Sequence, residues 1–176
     1  MGDSITKGYR PYVDELLHNQ SYVDMLATSK AMDNPSLLKE IDYMIQHRED
    51  FHYDVIHMNN GLHGWHLSPS QYEDQYNKLI RHVLQIAQSA TIIIANSTPM
   101  TEVGNRAVIN PQLNGQVEDR NRAVNRIVEQ YNLAINDLYK PKYGRSEYRV
   151  ADGYHYNEKG KKAQAEIVAK AIRDCL

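Results

Sequence analysis

The chain has 176 residues, a net charge of −2 and 41% hydrophobic residues. This length suffices to bury a core without disulfides or metals, so we expect one domain over residues 1–176. The scattered charges form no basic stripe for nucleic acid or an anionic membrane, no apolar run is as long as a membrane span, and the single Cys175 excludes an internal disulfide.

The first half of the chain alternates helical and strand patterns. Pro11 predicts the first turn of a helix, and residues 22–26 then predict a short strand. Asn34 and Pro35 predict the cap and the first turn of a second helix. Residues 53–58 predict the strand that follows it.

The second half continues the alternation and contains one long irregular stretch. Residues 91–95 are β-branched and almost wholly apolar, which is typical of a strand covered on both faces. Residues 97–116 hold two prolines and two glycines without periodicity, which predicts a long surface loop. The remaining predicted elements are helices over 69–88, 117–131 and 158–173 and a strand over 134–138.

Strands that alternate with helices of ten or more residues predict an α/β fold with a parallel sheet and helices on both faces. Functional sites in such folds lie at the carboxyl ends of the strands. The segments 28–34, 59–68, 96–100 and 151–155 should therefore meet at one rim of the sheet.

Two motifs near the ends of the chain contain the groups needed for nucleophilic catalysis. Ser4 lies in Gly-Asp-Ser-Ile, and Asp152 and His155 lie in Asp-Gly-Tyr-His. A serine hydroxyl is a poor nucleophile until a base removes its proton, and an imidazole held by a carboxylate commonly does this. Either motif alone is more often a turn or a helix cap, but the pair within an α/β pattern favours catalysis.

At these residues the chain resembles the SGNH or GDSL hydrolase family over nearly its whole length. The resemblance implies a flavodoxin-like three-layer α/β/α sandwich, with Ser4 as the nucleophile, His155 as the general base and Asp152 as the carboxylate that orients it. Members are serine esterases, lipases, thioesterases and carbohydrate deacetylases. Relatives have an apolar strand leading into Gly-Asp-Ser, so the resemblance also implies that the first strand is missing or truncated here.

The third block of the chain departs from the family's usual Gly-x-Asn-Asp. Gly61-Leu-His-Gly stands at that position, so His63 replaces the asparagine that donates to the oxyanion. A neutral imidazole can donate an N–H equally well, and Asn60 is the rival donor. The segment resembles a subgroup whose block reads Asn-x-Gly-Leu-His.

A second departure concerns the glycine whose N–H normally helps to form the oxyanion hole. The corresponding loop, residues 29–34, contains no glycine. A backbone amide of this loop and the side chain of Asn34 are the open alternatives, and the amide of Ser4 is the further expected donor.

The remaining polar and aromatic residues of the rim are expected to contact the substrate. These residues are Asp3, Asn59, Trp65 and His66, with a loop anchor as an equal alternative for Trp65. Histidines 57, 63 and 66 suggest a metal site as an alternative. His57, however, lies mid-strand, and its side chain should point away from the other two. Neither a metal nor a cofactor is therefore expected.

The sequence thus predicts a serine hydrolase that cleaves short-chain esters, above all acetyl esters, on a carbohydrate or another polar alcohol. The alternatives are an esterase of the lipase or acyl-CoA thioesterase type and a non-catalytic carbohydrate-binding relative. The expected partner is a small-molecule ester rather than nucleic acid or a membrane, and a homo-oligomer stays open. A cytoplasmic location is expected for the chain as given, with an upstream leader as the alternative.

Overall fold

A parallel sheet with helices on both faces organises the computed structural model, which describes residues 1–176. The strands are β1 (Val55–Met58), β2 (Thr91–Ala95), β3 (Thr101–Glu102), β4 (Asn105–Ile109) and β5 (Ala134–Asn136). The helices are α1 (Ser4–Leu16), α2 (Pro35–Gln46), α3 (Pro69–Ile86), α4 (Pro111–Tyr131) and α5 (Glu158–Arg173), with short 3-10 helices at Lys140–Lys142 and Ser146–Tyr148. The main sheet has the order β1-β2-β5, and both pairings are parallel.

Two apolar cores lie on opposite faces of this sheet. Alternate residues of β2 point to opposite faces, and Ile92 and Ile94 belong to the core formed with α2, α3 and α4. Ala95 belongs to the second core, formed with α1 and α5. The predicted three-layer α/β/α arrangement is therefore confirmed. None of the helices combines the length and the apolar character that crossing a membrane requires.

Helix α1 begins at Ser4, so the prediction that Pro11 lies in the first turn of this helix is wrong. Asp3 is the N-cap, and its Oδ1 accepts the N–H of Ile5 at 2.8 Å. Pro11 lies inside the helix, where its missing N–H leaves the carbonyl of Lys7 without the usual partner. The capping function of Asp3 was hidden in a motif interpreted as catalytic.

Met1 and Gly2 occupy the position of the first strand of the sheet. Gly2 forms one parallel bridge with Ala27, and the ammonium group of Met1 donates to the carbonyl of His57 at 2.6 Å. The strand predicted over residues 22–26 is not formed, because this single bridge is all that pairs there. These two residues alone stand where the resemblance implies an apolar strand.

A cavity of about 370 Å³ lies beside Met1, between residues 21–26 and the start of β1. Burial lowers the pKa of the Met1 ammonium group to about 6. The lining is mainly apolar and includes Val13, Leu17, Met25, Ile45, Tyr53 and Val55. This edge of the sheet is therefore packed less densely than its centre.

Residues 97–116 do not form the predicted surface loop. The segment from Ser97 to Thr101 is largely buried, with Met100 fully enclosed. Strands β3 and β4 then form an antiparallel hairpin, and α4 begins at Pro111 with Asn110 as its cap. The hairpin was missed because β4 is exposed along almost its whole length and so shows no alternation of apolar and polar residues.

Candidate active site

Ser4, His155 and Asp152 form a continuous chain of hydrogen bonds at the carboxyl-end rim of the sheet. The Nε2 atom of His155 lies 2.8 Å from Oγ of Ser4, although the two residues are 151 positions apart. Its Nδ1 atom lies 2.6 Å from Oδ2 of Asp152. Ser4 is exposed, so a ligand can approach its hydroxyl from solvent.

The turn that carries His155 is fixed by Asp152. Its Oδ1 atom accepts the backbone N–H groups of Tyr154 and His155, each at 2.9 Å. Partial burial alone would raise the pKa of Asp152, but these N–H groups and the imidazole outweigh burial and lower the pKa. Gly153 has a φ of +86°, and a Cβ there would lie 2.7 Å from the carbonyl oxygen of Thr101, so the turn requires glycine.

Arg149 hydrogen-bonds to the backbone of this turn. Its side chain is buried and donates to the carbonyl groups of Tyr154 and Pro99. Its guanidinium also lies 4.3 Å from the centre of the Tyr156 ring. The base-bearing turn is thereby tied to the loop that follows β2.

Ser4 is the first residue of α1, and this position gives its backbone N–H a chemical use. An N–H group in the first helical turn has no acceptor within the helix, and the helix dipole favours negative charge at this end. The nucleophile candidate and a candidate oxyanion donor therefore come from one residue.

The loop after β1 carries two asparagines that bind the protein backbone. Nδ2 of Asn59 donates to the carbonyl of Ala95 at 2.6 Å, which ties the end of β1 to the end of β2. Nδ2 of Asn60 donates to the carbonyl of Lys30 at 3.0 Å, and its Oδ1 is buried without a partner. In this structure both amides hydrogen-bond to the backbone of neighbouring segments of the rim. Substrate contact by Asn59 and oxyanion donation by Asn60 stay predictions.

His63 lies beside the residue that precedes the nucleophile candidate. Its Nε2 atom is 3.9 Å from Oδ2 of Asp3. Asp3 itself is only 2% exposed, and its carboxylate caps α1. The predicted substrate contact of Asp3 is therefore corrected, because burial leaves the carboxylate no direct access to a ligand.

The other predicted rim residues have identifiable partners. Nε2 of His66 lies 2.8 Å from Oδ2 of Asp33, which connects the loops after β1 and before α2. The ring of Trp65 is partly buried and packs over the guanidinium of Arg120. Asn34 uses its side-chain oxygen to cap α2. Their roles in substrate or oxyanion binding stay predictions.

The three histidines of the metal hypothesis do not converge. His57 points across the sheet, and its Nε2 atom lies 3.0 Å from Oδ1 of Asn136, whereas His63 and His66 neighbour different aspartates. Burial lowers the pKa of His57 to about 4. The hydrogen bond with Asn136 acts in the opposite direction and raises the pKa, while the nearby ammonium group of Met1 lowers it by a smaller amount.

Helix α4 supplies two positioning side chains that the sequence did not single out. The amide of Asn121 both accepts the N–H and donates to the carbonyl of Ser97, and Arg120 reaches the loop after β1. The only available signal was an arginine among the apolar positions of a predicted helix. That pattern does not reveal what the side chain contacts.

Comparisons with known proteins agree with the two end motifs. The sequence model of the GDSL-like lipase/acylhydrolase family matches residues 1–163. A comparison with curated proteins finds no match. The family match thus covers both Ser4 and the turn of His155.

Several solved structures share the fold at low sequence identity. An aryl esterase from M. smegmatis has a TM-score of 0.77 and 12% identity over 100% of this chain and 97% of the other. A carbohydrate acetylesterase from Sinorhizobium meliloti, Est24, has a TM-score of 0.76 and 10% identity over 100% and 97%. The acetyl xylan esterase AlAXEase has a TM-score of 0.72 and 18% identity over 97% and 96%. At these identities the likeness shows the fold alone.

Proposed function

The chain belongs to the GDSL-like lipase/acylhydrolase family, and we propose that it is a serine esterase for short-chain esters. The proposed substrates are acetyl esters of a carbohydrate or another polar alcohol. The observation that carries the proposal is that His155 contacts both other residues of the candidate triad. Its Nε2 atom lies 2.8 Å from Oγ of Ser4, and its Nδ1 atom lies 2.6 Å from Oδ2 of Asp152.

The proposed first half-reaction transfers the acyl group to Ser4. His155 takes the hydroxyl proton at Nε2 as the oxygen attacks the ester carbonyl, and a tetrahedral oxyanion forms. When this intermediate collapses, the bond to the alcohol breaks and His155 returns the proton to the leaving alkoxide. Asp152 keeps the imidazole in the orientation that exposes Nε2 and stabilises its protonated form.

The second half-reaction releases the acid. Water enters after the alcohol has left, and His155 accepts its proton while the hydroxide oxygen attacks the acyl-serine. Collapse of this second intermediate breaks the bond to Ser4 Oγ, which regains the proton from His155. The enzyme returns to its starting state with one ester and one water converted to an acid and an alcohol.

The oxyanion is proposed to bind the backbone N–H of Ser4 and a donor from the loop after β1. The free helix-end N–H of Ser4 supports the first part. His63 is the favoured second donor because its ring lies against Asp3, next to the nucleophile. Asn60 is the rival, although its amide already donates to the carbonyl of Lys30.

A polar alcohol and a short acyl group fit the surroundings of Ser4. Trp65, His66 and Asn59 are at least partly accessible at the rim, whereas the apolar cavity of about 370 Å³ is lined by none of the three proposed catalytic residues. Two fold relatives are described as an acetyl xylan esterase and a carbohydrate acetylesterase, which agrees with this choice.

The test is hydrolysis of para-nitrophenyl acetate by the wild type and by Ser4→Ala. Loss of the nucleophile should lower kcat by ~10⁴-fold or more. Ser36→Ala is the matched control, because Ser36 is exposed on α2 and contributes only its backbone N–H to the cap. A series of longer acyl chains should show decreasing kcat/KM, whereas a lipase or thioesterase would prefer them.

Equal rates for wild type and Ser4→Ala would eliminate the proposal. A fluorophosphonate probe then distinguishes an enzyme with an activated serine from a non-catalytic carbohydrate-binding protein. An activated serine becomes labelled in the wild type and not in Ser4→Ala, while a carbohydrate-binding relative without catalysis would take up no label.

A further inference from the structure

Arg120 gathers three backbone carbonyl groups of the loop after β1. Its Nη1 atom donates to the carbonyls of Gly61 at 2.9 Å and His63 at 2.8 Å, and its Nη2 atom donates to the carbonyl of Gly64 at 2.7 Å. The residue projects from α4, more than fifty positions away in the chain. One guanidinium therefore fixes almost the whole turn that contains His63.

This arginine has no carboxylate partner. It forms none of the ion pairs that the molecule contains within 4.0 Å, although its side chain is only 4% exposed. Its guanidinium lies 4.4 Å from the ring centre of Trp65 and 4.7 Å from that of Tyr72. Burying a charge is unfavourable, so retaining one whose only hydrogen-bond partners are loop carbonyls indicates a role specific to that loop.

The three carbonyl bonds also decide where the loop's N–H groups point. All peptide bonds are trans, so a carbonyl directed at Arg120 sends the N–H of the next residue the opposite way. These are the N–H groups of Leu62, Gly64 and Trp65. None of the N–H groups of residues 61–66 donates to an acceptor within the protein, so the turn is fixed by the bonds of Arg120 and not by hydrogen bonds of the loop's own N–H groups.

The same loop is in contact with the residue before the nucleophile. The 3.9 Å approach of His63 Nε2 to Asp3 Oδ2 brings its ring to the beginning of α1. Gly61 lies so close to Ser97 that a Cβ at Gly61 would be 1.2 Å from Oγ of Ser97. The loop is thus held between α4, the end of β2 and the amino end of α1.

We infer that Arg120 is a positioning residue for oxyanion stabilisation: its three carbonyl bonds hold the loop after β1 so that a side-chain donor of this loop, His63 or Asn60, faces the carbonyl attacked by Ser4. This inference rests on the proposed esterase function and deepens it. Arg120 acts through the loop and does not touch the substrate.

The critical variant is Arg120→Lys, which retains the positive charge. A lysine ammonium on a flexible stem cannot reproduce the planar fork that reaches three carbonyls together. We expect kcat for para-nitrophenyl acetate to fall ~10- to 100-fold, because small displacements of catalytic donors have effects of this size. KM should change little, since the loop's donors act mainly on the charge that develops during the reaction.

A double-mutant cycle separates positioning from general destabilisation. Arg120→Lys is combined with His63→Ala and, in a second arm, with Asn60→Ala. If the loop acts through one of these donors, Arg120→Lys should lower kcat by less than ~3-fold in the background that lacks it. Additive effects in both backgrounds would overturn the inference.

Arg126→Lys is the matched control on the same helix. Arg126 is exposed and pairs with Glu73, at 2.8 Å and 2.6 Å, without touching the loop. Its variant should keep wild-type kcat and wild-type amide hydrogen exchange in residues 61–66, whereas Arg120→Lys should accelerate that exchange. Unchanged exchange and kcat in Arg120→Lys would overturn the inference alone, while an inactive wild type would instead reject the proposed esterase.

Discussion

The rim that carries Ser4 and the edge that carries Met1 are held together in different ways. At the rim, buried arginines bind loop carbonyls, and the amide of Asn121 binds both backbone groups of Ser97. At the edge, one bridge between Gly2 and Ala27 joins the neighbouring segments, and a cavity of about 370 Å³ lies beside it.

This difference shows which part of the fold requires accurately positioned atoms. Catalytic geometry tolerates little displacement, so the rim uses directional hydrogen bonds to backbone groups. The edge has few such bonds and contributes mainly apolar burial, which has no directional requirement. We therefore expect substitutions at the rim to change the rate and substitutions at the edge to change stability.

The largest expected effect at the rim comes from Asp152→Asn. The asparagine keeps an oxygen for the turn but does not hold the imidazole in the required tautomer, so kcat should fall ~10⁴-fold. Thermal unfolding should change little, because the side chain is exposed. Asp137→Asn is the control, since Oδ1 of Asp137 accepts two N–H groups in a similar turn that contains no catalytic candidate. Rates within ~10-fold of wild type would contradict the proposed role of Asp152.

His57 lies between the two regions and should make stability depend on pH. Its pKa is about 4 in the folded protein against 6.5 as the ordinary value, so the unfolded chain binds more protons between these values. Stability should therefore fall as the pH decreases from 6.5 to 4, by about 3 kcal/mol from this group.

Urea unfolding of wild type and His57→Gln at pH 7 and pH 4 measures this contribution. The carboxylates and the Met1 ammonium group titrate in both proteins, so the difference between the two proteins isolates His57. The same loss of unfolding free energy in both would contradict a buried neutral imidazole.

The smallest expected effect lies at the cavity edge. Val13 lines the cavity and Val83 lies in the closely packed α3 interface, and both are buried helical residues. Val13→Ile should raise the free energy of unfolding by ~0.8 kcal/mol, because the added methylene enters existing space. Val83→Ile should lower it by ~1–3 kcal/mol through overpacking.

Chemical unfolding of the two variants provides the comparison. A loss of stability at both positions would mean that the edge is packed as tightly as the core. Activity should remain at the wild-type level in both variants, because neither side chain reaches the rim.

Local signals predicted the elements that they specify directly. Asn34 with Pro35 marked the start of α2, and residues 91–95 formed the strand that their β-branched composition indicated. The start of α1 was predicted wrongly because proline commonly occupies the first turn of a helix, and the prediction did not recognise Asp3 as the N-cap. Residues 97–116 misled because an exposed hairpin has no apolar periodicity, although Asn110 with Pro111 repeated the signal that had marked α2.

The sequence by itself determined the candidate chemistry and the fold class. Gly-Asp-Ser and Asp-Gly-Tyr-His are short motifs whose residue types supply a candidate nucleophile, a candidate base and a candidate orienting carboxylate, and the alternation of elements predicts a parallel sheet. Only the tertiary structure decided that His57 pairs with Asn136 and that Arg120 holds the loop of His63. These contacts join residues more than fifty positions apart, and no local pattern encodes them because they depend on how separate elements pack.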